Sequence, residues 1–424
     1  IVQYVHDASE TTSDSIGLSL ADGGENSSTA AIGTFSITVT PVNDLPEGSD
    51  AGGTLVYTEN AAPTVIDNSL SLNDVDDIHL EDATVSISTN YSAGEDVLAF
   101  TSVGSITGSF SGGVLSLSGH DTLANYETVL ESVTYVNTSN DPSTAVRTIS
   151  WVINDGEGSS SEITSMISIV SANDAPTLIV TAQDPEFLED ASGSVLFEVD
   201  SFSPIEAAQH IKELEFTVEG LIDSSSEQVI VDAEAINLVI GETGTTSTSS
   251  IGYSIQDVND LVTVVLSFPV SVSPSDARTI VENIGYKNSS SFHASDGVRV
   301  FTLNRIQDDG GVANSGSDTT LFSAVSTVTV KAVNDAPTIL APVSLTTNED
   351  ESIYLVAGSV SEVSFVDVDA FSSDVKATLT TKKGRLFIDG GNASVTASGA
   401  HENWTYVVQG QISDVNSALD GAEF

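Results

Sequence analysis

The sequence predicts an all-β chain, a row of tandem antiparallel Greek-key β-sandwich modules in extended order, on three observations. Short runs alternate apolar and polar residues, as in Phe35-Ser36-Ile37-Thr38-Val39 and Met166-Ile167-Ser168-Ile169-Val170, the period-two pattern of half-buried strands. Asp-Gly turns follow such runs at Asp22-Gly23-Gly24, Asp155-Gly156 and Asp309-Gly310-Gly311, and Asp and Gly tolerate the positive φ that tight hairpins require. An Asn-Asp motif closes one β-run and opens the next three times: Pro41-Val42-Asn43-Asp44-Leu45-Pro46, Ser171-Ala172-Asn173-Asp174-Ala175-Pro176 and Ala332-Val333-Asn334-Asp335-Ala336-Pro337. Its proline fixes φ and ends the strand's hydrogen bonding.

In chain order, residues 1–46 read as the last part of a module, 47–176 and 177–337 as whole modules, and 338–424 as the first part of another. Each of the first three carries a tyrosine strand (Tyr4, Tyr135, Tyr286), a second strand and the Asp-Gly turn. The tyrosine-to-turn separations are 18, 20 and 23 residues, one topology with variable loops. Tyrosines in this position read as core or corner residues. Short helical patterns at Asp121–Leu130, Ser275–Val281 and Ser413–Leu419 begin with the Asp or Ser of an N-cap. A further helix is expected over Pro204–Lys212, and a mobile loop over Gly241–Ser250. Ile1 opens in mid-strand and Phe424 stops where a tyrosine strand is due, so the chain is expected to be cut from something longer.

There are 61 Asp and Glu against 11 Lys and Arg, a formal charge of −50, and no Lys or Arg precedes Arg147. Such a surface repels nucleic acid and anionic membrane, which need a basic footprint. Its self-repulsion must be offset by salt or bound cations. With no cysteine, bracing falls to packing or oxygen-ligated metal. No apolar run reaches the length of a membrane span. The six histidines (His6, His79, His120, His210, His293, His401) stand singly. No zinc-hydrolase pair, nucleophile elbow, phosphate loop or dinucleotide fingerprint is present, and the reading is not an enzyme.

The chemistry concentrates at the Asn-Asp motifs. Calcium takes six to eight oxygen ligands and tolerates loose geometry. Each motif offers an amide, a carboxylate and carbonyls. Twelve or thirteen residues beyond each proline lies an acid: Glu59, Glu189 and Glu349. Acidic loops follow at Asn73-Asp74-Val75-Asp76-Asp77 and Asp367-Val368-Asp369. Two such charges about 4 Å apart repel by roughly 4 kcal/mol at an effective dielectric of 20. The alternative is an Asx turn beside a solvated glutamate.

These residues resemble cadherin-type modules, especially the cadherin-like and proteoglycan-type (CSPG) repeats of giant bacterial surface proteins. Val2-Gln3-Tyr4-Val5-His6-Asp7-Ala8-Ser9-Glu10 is similar to the end of a CSPG repeat. Val333-Asn334-Asp335-Ala336-Pro337-Thr338 is similar to the bacterial cadherin-like signature. The resemblance implies cadherin/Ig-like folds and Ca2+ at each junction. The first junction would use Asn43 and Asp44 with Asp74 and Asp76. The second would use Asn173 and Asp174 with Glu59 and Asp200. The third would use Asn334 and Asp335 with Glu189, Asp367 and Asp369, and Glu349 would serve a junction beyond. Pro41, Ser171 and Ala332 stand where the cadherin linker has another Asp, and no Asp-x-Asp follows Glu189. Fewer ions are therefore expected, with the second junction weakest.

The leading expectation is a calcium-stabilised segment of a long extracellular, adhesin-like stalk at a bacterial cell surface, whose partners are neighbouring repeats of the same chain. Alternatives are a glycan or receptor reader in residues 177–337, and like chains assembled through divalent cations into a sheath, filament or surface layer.

Overall fold

In a computed structural model the chain is described at residues 1–23, 29–270, 272–290, 294–400 and 402–424. Gly24 of the first expected turn, His293 and His401 lie outside the described residues. The chain forms two compact units: Ile1–Ala175 with 204–209 and 310–318, and Pro176–Ser203 with 210–309 and 319–424.

In the first unit, strands Ser13–Leu20 and Ala31–Thr38 pair as an antiparallel hairpin. A six-stranded sheet then runs in the order Thr54–Thr58, Ile163–Val170, Arg147–Asn154, His79–Thr89, Val114–Thr122, Thr107–Ser111. A second sheet of Thr64–Val65, Thr134–Asn137 and Asp96–Ala99 accompanies it. Inward residues alternate along the strands: Ile149, Trp151 and Ile153 are buried with Leu80, Val85, Leu115 and Tyr135 in one core, as the two-residue repeat requires. This is an all-β sandwich.

The second unit repeats the plan in a seven-stranded sheet: Glu186–Leu188, Thr319–Lys331, Gly297–Asp308, Ile211–Glu219, Leu261–Ser267, Gly252–Val258, Thr243–Thr245. A four-stranded sheet of Ser194–Val195, Gly285–Asn288, Glu227–Val231 and Glu234–Asn237 goes with it. Phe187, Phe216, Tyr286 and Phe301 lie in the core. A separate small core of Ala377, Val408, Val415 and Leu419 underlies a sheet of Asp374–Thr381, Asn403–Gln411 and Ser394–Ala400. One departure from an antiparallel plan recurs. Thr54–Thr58 runs parallel to Ile163–Val170, and Glu186–Leu188 runs parallel to Thr319–Lys331.

Three short helices form near their expected places: α1 Leu123–Glu131, α2 Pro274–Glu282 and α3 Ile412–Leu419. Their caps differ from expectation. Thr122 and Ser273 accept from the N–H groups of Asn125 and Asp276, while Asp121 accepts from the Ser105 N–H instead. The helix expected over Pro204–Lys212 does not form. Ile205 takes φ 75°, a left-handed value that ends a helix before it starts, and Ile211 and Lys212 enter a strand. The loop expected over Gly241–Ser250 is tied down: Thr243–Thr245 pairs with Gly252–Ser254. Asp232 accepts from Thr246 and Ser249 there. Tyr4, expected in a strand, lies in none.

Two buried ion pairs were not anticipated. Arg147, wholly buried, donates to Asp96, which also accepts from Tyr135 Oη at 2.5 Å and Asn137 Nδ2 at 2.7 Å. Arg299, also wholly buried, donates to Glu227 at 2.5 Å, and Glu227 accepts from Tyr286. The tyrosine strand thus anchors an arginine and a carboxylate in each of the two larger cores.

Candidate cation sites at the Asn-Asp motifs

At each motif the Asp main-chain N–H donates to a later carboxylate. Asp44 donates to Asp76 Oδ2 at 3.2 Å, Asp174 to Glu206 Oε1 at 2.6 Å, and Asp335 to Asp369. The carboxylate thereby closes the loop that carries it against the motif.

At the first motif, Asn43 Nδ2 donates to Asp155 Oδ2 at 3.0 Å. Asp74 Oδ1 accepts from the N–H groups of Asp76 and Asp77, which turns the acidic loop back on itself. Carboxylate oxygens of Asp74, Asp77 and Asp155 then lie within 4.8 Å of one another. Two full charges at that separation repel by roughly 3.5 kcal/mol at an effective dielectric of 20. Burial raises the Asp74 carboxyl pKa above the ordinary range, and Asp76 adds to the rise. Asp74 Oδ2 is buried without a hydrogen-bond partner.

The second motif is the most enclosed. Glu59 and Glu206 are 4% and 8% exposed. Glu59 Oε2 accepts from the Ala172 N–H at 2.8 Å, yet Glu59 Oε1 and Glu206 Oε2 are buried without partners. Burial pushes both carboxyls above the usual range, and neighbouring Asp174 and Asp141 push further. Asn60 donates to Asp174 Oδ1 at 3.2 Å. Asn173 Nδ2 donates to Ser317 O at 2.6 Å, and Gly310 packs so closely that a Cβ there would lie 1.8 Å from Asn173 Oδ1.

At the third motif Glu189, 8% exposed, accepts from the N–H groups of Ala294 and Val333. Asp369 N–H donates to Asp367 at 3.2 Å. Desolvation raises the Asp335 carboxyl pKa, followed by the charges of Asp369, Asp190, Glu189 and Asp367. Asn334 donates to the Asp335 carbonyl, as Asn43 does to Asp44.

Hydrogen bonds link Asn43, Asp44, Asp74 and Asp76, Glu59 with the segment of Asn173 and Asp174, and Glu189 and Asp369 with the segment of Asn334 and Asp335. Among the described residues, carboxylate oxygens of three acids approach within 4.8 Å only at Asp74, Asp77 and Asp155. Asp200 instead accepts from Thr181 Oγ1 at 2.8 Å. Glu349 is exposed. Sequence reasoning passed over Asp155, Asn60, Asp141, Glu206 and Asp190 as ligands, and placed Asp77 in the acidic loop without assigning it to the first set. One signal was available: Glu206 follows Asp174 by the 32 residues that separate Asp76 from Asp44. Of the scattered histidines, His79 and His120 stack at 4.6 Å, with His120 at 2.6 Å from Glu81.

No family model matches the chain, and no curated protein matches it. Among solved structures it is similar to Protocadherin Gamma B2 extracellular cadherin domains 1-5, with TM-score 0.30 and 12% identity over 96% of this chain. The chain spans 60% of that protein's length. Human CDH23 EC21-23 has TM-score 0.29 and 12% identity, covering 76% of this chain and 74% of its own. Mouse Cadherin-23 EC22-24 has TM-score 0.29 and 13% identity, covering 87% and 89%.

Proposed function

We propose that this chain is a calcium-stabilised structural segment of a long extracellular, adhesin-like stalk, built of the four sequence-defined modules. The observation that carries the reading is the pair Glu59 and Glu206. Two carboxylates nine-tenths out of water, each with an unpartnered oxygen, are costly unless a cation compensates them. The donors are all oxygen, which suits calcium or magnesium rather than zinc or copper. A donor set drawn from several loops suits calcium, which takes six to eight oxygens in loose geometry, better than magnesium, which demands a near-ideal octahedron.

The first motif would hold the ion through Asp44, Asp74, Asp76, Asp77 and Asp155 with Asn43. The second would use Glu59, Asp174, Glu206 and Asp141 with Asn173. The third would use Glu189, Asp335, Asp367 and Asp369 with Asn334. When bound, the ion supplies positive charge that these clustered acids lack. The chain's own residues fix the donors beforehand: Ala172, Asp174, Ala294 and Val333 N–H groups each hold one oxygen of a glutamate. Because donors come from segments far apart in sequence, releasing the ion frees those segments to separate. Small-angle scattering of the chain in calcium and in chelator tests this. The maximum dimension and stiffness are expected to change on chelation, and identical profiles would overturn the reading.

A further inference from the structure

We propose that His79 and His120 form a binding site for a divalent transition-metal ion of the zinc, nickel or copper type, with Glu81 holding His120 in place. The site shares no donor with the all-oxygen clusters at the Asn-Asp motifs and does not rest on the calcium reading.

Two neighbouring strands, His79–Thr89 and Val114–Thr122, build the pair. His79 and Glu81 are two residues apart and stand on the same side of their strand, while Leu80 between them is fully buried. In the antiparallel register Ser118 lies opposite Asp82, Asp121 opposite Leu80 and Thr122 opposite His79. Gly119 and His120 therefore share the single partner Glu81. This is the two-against-one count of a β-bulge, a device that re-aims a side chain. Glycine is required at 119: its φ is 144°, and a Cβ there would lie 2.6 Å from the Ser105 carbonyl oxygen. Beside the bulge the His120 ring stacks on His79, with centroids 4.6 Å apart and planes 17° from parallel. Histidines that stand singly in the sequence are thus brought together by the fold. His6 and His210 each face an aspartate instead, Asp7 and Asp309.

Glu81 supplies the orientation. Its Oε1 lies 2.6 Å from His120 Nδ1. An ionised carboxylate only accepts, so Nδ1 is the donor and the free lone pair of the ring sits on Nε2. A carboxylate behind one ring nitrogen is the usual companion of a metal-bound imidazole at the other. The nearby aspartates attract a cation without competing for it. Asp121 is already committed to the Ser105 and Thr122 N–H groups and to Asn125 Nδ2. The Asp82 carboxyl is raised above its ordinary range by burial and then by the charge of Glu81, so this end of the sheet is short of positive charge.

The donor chemistry selects the ion. Imidazole suits zinc, copper and nickel, whereas calcium and magnesium take oxygen. A tetrahedral ion about 2.0 Å from each nitrogen sets the two nitrogens roughly 3.3 Å apart. The stacked rings reach that spacing by a turn of His120, whose side chain is 63% exposed, and water fills the remaining positions. The bound ion ties the bulge of one strand to the first residue of the next.

The test is a titration of the full chain with zinc chloride in excess calcium, which fills the oxygen sites first. Calorimetry reads the binding, and NMR reads the carbon-bound ring protons of the six histidines. One zinc ion is expected to bind and to move two sets of ring signals, the sets that His79→Gln and His120→Gln delete. Either substitution is expected to abolish this binding step. Glu81→Gln is expected to weaken it about tenfold with both sets still moving, as a positioning residue should. Melting in calcium without zinc shows whether each variant is folded, and the ring signals of the unmodified chain decide the matter if one is not. No zinc binding, movement of all six sets alike, or equal binding by the His79→Gln, His120→Gln double variant would overturn the proposal. In the last two cases the acids alone hold the ion.

Discussion

The Asp174 N–H donates to Glu206 Oε1 at 2.6 Å, and this bond places a glutamate where the other two motifs place an aspartate. Asp76 and Asp369 receive the equivalent N–H groups from Asp44 and Asp335. The second motif lacks an Asp-x-Asp. Its turn after Pro204, forced by the left-handed Ile205, brings a longer acid to the same post.

Glu206→Gln keeps the acceptor and removes the charge. Calcium binding at the second motif is expected to weaken about tenfold, roughly 1.4 kcal/mol, with the other two motifs unaffected; calorimetric titration reads this directly. Glu59→Gln should act oppositely on the two states. In chelator it relieves a desolvated charge, and the melting midpoint is expected to rise by about 2–4 °C. In calcium it removes a donor, and the midpoint should fall.

Arg147→Ala leaves Asp96 buried without its cation. Unfolding of the sandwich it belongs to is expected to become easier by about 3–5 kcal/mol in urea titration. The double variant Arg147→Met with Asp96→Asn should lose clearly less, because no charge is then stranded. Equal losses would mean that the arginine acts through packing alone.

Asp67 supplies a pH dependence outside the motifs. Burial raises its carboxyl pKa, but Ser69, Ser165 and Gly53 donate to it, and the net shift is downward. A depressed folded pKa means the stabilisation is present above the unfolded value and lost as pH falls through the folded one. Melting midpoints compared at neutral pH and in acid should converge for Asp67→Asn relative to the unmodified chain.

Gly310→Ala should disturb the second motif and Gly311→Ala should not. A methyl at 310 meets Asn173 and Gln209, whereas at 311 it meets nothing within 4 Å and only strains a φ of 77°. Calcium affinity at that motif should fall for the first variant. The second should lower stability by about 1 kcal/mol without changing affinity.

Strand periodicity and turn chemistry made the all-β sandwich legible, because a two-residue repeat such as Ile149, Trp151, Ile153 states which face is buried. The helices were legible to within a few residues. Their caps were not, since Asp121 had a competing partner in Ser105 that lies 16 residues away. The 204–212 segment misled because its composition favours a helix, and one backbone angle decided against it. Among the candidate ligands, those adjacent in sequence to the Asn-Asp motifs could be read directly. Asp155 could not, since only the folded loops bring it near and as a turn residue it had an obvious simpler use; Glu206 was marked in the sequence only by its spacing from Asp174, the spacing of Asp76 from Asp44.

The burial of Arg147 has a practical corollary. It is the only lysine or arginine before Lys212, and its side chain is closed off by the sandwich around it. Trypsin thus has no accessible target in the first 211 residues until that sandwich opens. The protease becomes a gauge of local unfolding for this stretch, scored by a single cut.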